Sequence, residues 1–169
     1  MNVTIIGTGY VGLTTGLSLG YLGHDVTCVD KNPSIVERLK RGEATIHEDG
    51  LEELLAVTPA RFQTDIPKLK GRGVVIIAVG TPTKGNGDAD LQFVDAAANE
   101  VAEQIQAGAE LVVVNKSTVP IGSARHVETI IRRVLERRRV EATVHVASNP
   151  EFLAEGKAIH DTFYPDRIV

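Results

Sequence analysis

Three glycines, Gly7, Gly9 and Gly12, stand in the spacing G-x-G-x-x-G within the run GTGYVGL near the amino terminus. Such a turn acts through its backbone. Without a Cβ, Gly7 permits a tight turn after a strand, Gly9 lets a pyrophosphate approach the main chain, and Gly12 lets helix pack on strand. The helix that follows, with Tyr10 and Val11 in its first turn, offers free N–H groups and a positive dipole end to phosphates. The pattern alone also describes an ordinary glycine-rich turn; its place between an apolar run and a helical pattern gives it weight. Asp30 follows Gly12 by 18 positions, at the end of the next apolar run. A carboxylate there can accept both hydroxyls of an adenosine ribose and repels a 2′-phosphate, which favours NAD over NADP. Lys31 softens that preference, because a neighbouring cation tolerates a phosphate. A plain turn carboxylate is the structural alternative for Asp30.

Three later segments carry hydroxyls and carboxylates: Val79-Gly-Thr81-Pro-Thr83, Lys116-Ser117-Thr118-Val-Pro, and Ser148-Asn-Pro-Glu151-Phe152-Leu153-Ala154-Glu155-Gly. Hydroxyls suit a ribose or a bound water, and carboxylates suit proton transfer from an alcohol. Each segment taken singly has a structural reading. Thr118 could cap a helix before Pro120, and Glu151 and Glu155, four apart, could share one solvated helix face. Their meaning depends on whether they converge.

The elements that must position them alternate along the chain. Short apolar runs at residues 3–6, 26–29, 74–79, 111–115 and 143–147 read as strands, with a minor strand at 61–64. Helical spacing covers 10–22, 33–41, 51–56, 91–106 and 121–139, and Asn32 with Pro33 makes a helix start. The run VVIIAV is bare of polar residues, as a strand covered on both faces should be. The alternation predicts a Rossmann-type, doubly wound parallel sheet in a single α/β domain. In that fold ligands bind beyond the carboxyl ends of the strands, which is where all three polar segments fall.

At 169 residues the chain fits one domain, with 43% hydrophobic and 24% charged residues. Its net charge of −4 gives no electrostatic reason to expect nucleic acid or an anionic membrane as partner. No run approaches the roughly 20 apolar residues of a membrane span. The start lacks a signal-peptide pattern and the single cysteine, Cys28, cannot form an internal disulfide, so a cytoplasmic protein is expected. The histidines show no metal-ligand spacing. The basic run from Arg132 to Arg139 reads as the end of a helix, where cations suit the dipole.

GTGYVGL, VGTPT, KSTVPIGS, NPEFLAEG and the terminal PDRIV, in this order and spacing, resemble the UDP-glucose 6-dehydrogenase family over the whole chain. The segment 45–51 also resembles the family's link after the second helix, with Asp49 where a proline is usual. The resemblance implies that residues 1–169 are the NAD-binding domain of a nucleotide-sugar dehydrogenase, without its central helix and C-terminal UDP-binding domain. It implies two oxidations of a sugar's primary alcohol by NAD, through a thiohemiacetal and a thioester on a cysteine. In that scheme Glu151 is the acid/base residue and Thr118 positions the water. Glu155 sits near the nicotinamide, and the backbone of Phe152, Leu153, Ala154 and Glu155 contacts the nucleotide sugar. Val79, Thr81, Thr83 and Ser117 lie along the cofactor. Ile35 stands where an arginine or lysine often helps hold the adenosine, a contact that Lys31 could replace.

The family's nucleophilic cysteine has no counterpart here, because Cys28 lies on the second strand at the adenosine end and reads as a core residue. The isolated chain is therefore expected to bind NAD weakly and to be inactive alone, and the full-length protein to be a homo-oligomer. UDP-glucose is the expected substrate, serving UDP-glucuronate and polysaccharide biosynthesis. GDP-mannose and UDP-N-acetylmannosamine dehydrogenases are the alternatives within the family. A hydroxyacid dehydrogenase of the 6-phosphogluconate type shares the glycine turn but would not be expected to show NPEFLAEG. A non-catalytic NAD-binding module is the alternative of another class, and it would need neither Thr118 nor the two glutamates.

Overall fold

The structure, a computed structural model, describes residues 1–167. Ile168 and Val169, the end of the PDRIV motif, lie outside the described residues. Six strands and six helices follow one another as β1 (Asn2–Ile6), α1 (Tyr10–Tyr21), β2 (Asp25–Val29), α2 (Pro33–Lys40), α3 (Leu51–Val57), β3 (Ala60–Gln63), β4 (Arg72–Ile77), α4 (Gln92–Gln104), β5 (Glu110–Asn115), α5 (Ser123–Arg138), β6 (Thr143–Ser148) and α6 (Ala158–Phe163). The strands form one parallel sheet in the order β3-β2-β1-β4-β5-β6. The order reverses beside β1, whose Ile6 pairs with Val29 on one side and Ile77 on the other. That reversal opens a crevice at the carboxyl ends of β1 and β4.

Each face of the sheet carries its own core. On one side Val3, Ile5, Val26 and Cys28 meet Leu13 and Leu17 of α1 and Leu51 of α3. On the other, Val75, Ile77, Leu111 and Val113 meet Val94, Ala98 and Val101 of α4 and Val127 and Ile131 of α5. Each such buried aliphatic side chain contributes about 1.5–3 kcal/mol relative to exposure. Helix α1 lies very close to the sheet. A Cβ at Gly16 would stand 2.7 Å from Cys28 Sγ, and one at Gly20 2.5 Å from Thr58 Cγ2. Gly12, Gly16 and Gly20 fall at helical spacing on that packed side, a pattern that marks the contact in the sequence itself.

The expected elements form, with informative differences at their ends. α2 starts as predicted, with the Asn32 side chain accepting from the Ser34 N–H at 3.0 Å. α4 stops at Gln104 because Ile105 turns extended and bridges Leu69. α5 begins at Ser123 rather than at residue 121, since Pro120 and a left-handed Gly122 (φ 93°) hold residues 120–122 in a turn. The arginines at its end do more than meet its dipole. Arg138 Nη1 donates to the carbonyls of Ala102 and Ile105, capping α4, and Arg137 pairs with Glu103. The helix α6 has no signature in the sequence. It is held against α1 by packing, with the Phe163 ring edge-on to Tyr21 at 5.8 Å. No helix among the described residues is long and apolar enough to cross a membrane.

Candidate functional site

The turn from β1 into α1 has the geometry that its glycines require. Gly7 takes a φ of 96°, in the left-handed region, and a Cβ there would lie 2.7 Å from Ala78 O. A Cβ at Gly12 would stand 1.9 Å from Gly7 O and 3.3 Å from Ala78 Cβ, so any larger residue breaks the turn. Around Gly9 there is open space within 4 Å, and this is where a phosphate can reach the backbone. Two glycines are required by the fold and one leaves room for a ligand.

Asp30 follows β2 and faces this turn. Its Oδ2 accepts from the Thr8 N–H at 3.0 Å and the Thr8 hydroxyl at 2.7 Å, and its Oδ1 accepts from the Asn32 N–H at 2.9 Å. A carboxylate has about four acceptor positions, so one stays open, and a second opens if the Thr8 hydroxyl rotates away. The carboxylate is thus fixed beside the turn with acceptor capacity to spare. Lys31 is exposed and pairs with Glu100 of α4.

The polar segments after β4 and β5 are joined. Ser117 donates from Oγ to Val79 O at 2.7 Å, and Thr81 donates from Oγ1 to Thr118 O at 2.8 Å. Ser117 is buried while Thr118 is exposed, and Thr118 lies five residues before α5, so it is not a helix cap. Thr83 stands at the base of a small hairpin, bridged to Ala89, that carries the glycine-rich loop 84–88 outward.

The segment after β6 is not helical at residues 149–154, so Glu151 and Glu155 do not share a helix face. Glu151 is half-buried, and its Oε2 has no hydrogen-bond partner among the described residues. Lys116 Nζ bonds Asn149 Oδ1 at 3.2 Å beside it. Burial pushes the Lys116 ammonium below its usual pKa, and the charge of Glu151 partly offsets that shift. Both groups line a cleft of about 500 Å³ between α1, the end of β5 and the 149–167 segment. At its rim the Arg167 guanidinium lies 4.7 Å from the centre of the exposed Phe152 ring. A smaller cavity of about 200 Å³, lined by Thr4, Thr27, Arg61 and Lys68, lies beneath the β3–β4 crossover, away from the carboxyl ends of the strands.

One residue of this neighbourhood had no role in the sequence reading. Glu48, in the link before α3, is only 6% exposed and accepts the Tyr10 hydroxyl and the Gly156 N–H, the latter at 2.7 Å. Burial alone would raise its pKa. The bonds from Tyr10 and from the N–H groups of Gly156, Ile159 and Ala158 outweigh burial and hold it below the ordinary glutamate value. Burial, with the bond to Glu48, pushes the Tyr10 hydroxyl up to about 12, so it stays a donor at neutral pH. Nothing in the spacing of residues 45–51 marks Glu48 as buried. Cys28 is in the core as expected, its thiol pushed up to about 12 by burial.

Fold and site together define a dinucleotide-binding domain of Rossmann type. The chain belongs to the UDP-glucose/GDP-mannose dehydrogenase family, whose NAD binding domain matches residues 1–169. It is 44% identical over its whole length to UDP-glucose 6-dehydrogenase YwqF of Bacillus subtilis, covering 38% of that protein. With the UDP-glucose 6-dehydrogenase of Rhizobium meliloti the identity is 47%, again over the whole chain and over 39% of the relative. The chain thus spans well under half the length of these relatives. Among solved structures it resembles a UDP-glucose dehydrogenase from Pyrobaculum islandicum, with a TM-score of 0.83 and 39% identity, over 99% of this chain and 39% of that one. A GDP-mannose dehydrogenase from Pseudomonas aeruginosa gives 0.89 at 33% identity, over 99% and 40%. The backbone match is therefore no guide to which sugar is used. NAD is the cofactor of this domain.

Proposed function

We propose that this domain serves an enzyme that oxidises UDP-glucose to UDP-glucuronate, in the cytoplasm, as a step toward polysaccharide precursors. The observation that carries the reading is the cleft at the end of β5, where Glu151 has a buried carboxylate oxygen without a hydrogen-bond partner among the described residues, in a cleft it shares with Lys116. That cleft is at the same carboxyl-end side of the sheet as the glycine turn. The Gly7–Gly12 turn and Asp30 would hold NAD, which would supply the hydride acceptor for the sugar's primary alcohol. The chain's own residues do the rest of the work on this side. Glu151 accepts or returns the proton of the alcohol or of a water. Lys116, which lines the same cleft and is partly desolvated, stabilises negative charge on the sugar oxygen. Thr118, exposed at the end of β5, orients a water. The backbone of residues 152–155 holds the sugar.

The thiol for a two-step oxidation must come from outside these 169 residues, because Cys28 is their only cysteine and is sealed in the core. UDP-glucose is favoured over GDP-mannose by the higher identity to UDP-glucose enzymes, 39–47% against 33%. A non-catalytic NAD module would not require an unsatisfied glutamate beside a partly buried lysine. Assembly of the complete enzyme into a homo-oligomer belongs to the same reading.

The test is a chimera in which this chain replaces the matching part of the Bacillus subtilis relative. It should form NADH with UDP-glucose, and Glu151→Gln should abolish that activity. A chimera that folds and binds NAD yet forms no NADH overturns the reading.

A further inference from the structure

Residues 152 and 154–157 are exposed, so apolar packing does not hold that stretch of the loop in place. Its fixed points are polar. The N–H of Gly156, itself at a φ of 84°, points at Glu48 Oε2 at 2.7 Å and at the Tyr10 hydroxyl at 3.0 Å. The Ile159 N–H reaches Glu48 Oε1 at 3.4 Å, and the Tyr10 hydroxyl lies 3.3 Å from Ala154 O. Tyr10 opens α1, in the first turn after the phosphate-binding glycines. One buried carboxylate therefore joins three segments that are far apart in sequence.

A carboxylate in that position is a costly device. No cation among the described residues is in ion-pair range of it, and its charge is met only by N–H groups and a phenol. An apolar side chain of similar size would fill the space at lower cost. What the carboxylate supplies instead is direction: it accepts from donors on two elements at once and fixes their relative position.

We propose that Glu48 is a positioning residue that fixes loop 151–156 on the first turn of α1, so that the loop's carboxylates keep register with the phosphate-binding turn. This rests on the reading of that loop as the sugar side of the site. NAD binding at the turn settles Tyr10, and through Glu48 the settled Tyr10 sets Gly156 and the loop.

The experiment follows amide resonances of the isotope-labelled chain with NAD as the only ligand, in the wild type, Glu48→Gln and Tyr10→Phe. In the wild type, NAD shifts the amides of Gly156 and Ile159 together with those of Gly9 and Gly12. In Glu48→Gln, the Gly156 amide exchanges with solvent about tenfold faster or more, as expected for loss of a charged acceptor. Its response to NAD collapses, while Gly9 and Gly12 still respond. Tyr10→Phe, which keeps the Glu48–Gly156 bond, loses the response at Gly156 but not its protection. This second variant carries the test if Glu48→Gln does not fold. The proposal is overturned if NAD moves Gly9 and Gly12 but not Gly156 in the wild type. It is overturned equally if the response at Gly156 persists in either variant. No sugar enters these measurements, so failure of the substrate reading in the chimera is a separate result.

Discussion

The two ends of the site are built by opposite means. At the β1–α1 turn, position is enforced by volume: Gly12 has carbonyl oxygen where its Cβ would be, and Gly16 and Gly20 bring α1 against Cys28 and Thr58. At the 149–156 segment, much of the chain is exposed and position is enforced by a few polar links, Lys116 to Asn149 and Glu48 to Gly156. Steric enforcement makes a rigid phosphate site that cannot be altered without harming the fold. Polar enforcement makes a loop that can be retuned without unfolding the domain. Relatives named for different sugars, with closely similar backbones, are what this division would produce.

The largest expected effect breaks the comparison at its rigid end. Gly12→Ala should cost about 3 kcal/mol or more of stability, since overpacking against backbone cannot be relieved by a rotamer change, and NAD binding should be lost with it. Gly9→Ala, placed in open space, should leave the urea midpoint nearly unchanged while weakening NAD about tenfold or more by calorimetry. Equal destabilisation by the two substitutions would remove the distinction between a fold glycine and a ligand glycine.

A smaller effect is expected at Asp30, where the two roles overlap. Asp30→Asn keeps the shape but weakens the bonds from Thr8 and Asn32, and should cost about 1–2 kcal/mol in NAD affinity. It should also narrow the preference for NAD over NADP, because the charge that repels a 2′-phosphate is gone. Unchanged discrimination in paired titrations would take Asp30 out of the ribose site and leave it as a turn residue.

The smallest effect belongs to the polar end. Glu151→Gln should leave stability within about 0.5 kcal/mol and NAD affinity unchanged, because the buried Oε2 has no hydrogen-bond partner among the described residues to lose. It should lower the pKa of Lys116 further, since Glu151 is the group that raises it against burial. Titration of the Lys116 side-chain resonances reads the shift. An upward shift would show that the two groups do not face each other across the cleft.

The parallel sheet, the order of its elements and the cofactor turn were legible in the sequence because each depends on local pattern. VTII and VVIIAV can be little but buried strands, and the glycines at 7, 9 and 12 carry their spacing with them. Helix ends were less legible: Gly122 and Ile105 end or delay helices through backbone angles set by neighbouring segments. α6 was not legible, because six residues with one turn's worth of contacts to α1 leave no periodicity. Asp30 was singled out by its distance from Gly12, and it faces the turn through Thr8. Glu48 was passed over, because burial and bonds to distant segments leave no mark on a residue's own neighbours.

The sequence by itself determined that this is a parallel α/β domain with a G-x-G-x-x-G turn after its first strand and an aspartate, Asp30, at the end of its second. Strand apolarity, glycine spacing and the Asp30 register are properties of short stretches, readable without the rest of the chain. Only the tertiary structure decided that Thr118 is no helix cap and that Glu151 and Glu155 do not share a helix. It alone joined Glu48 to Tyr10 and Gly156. Those outcomes depend on which residues meet across 37 to 108 positions of chain, and packing of the whole sheet and its helices is what brings them together.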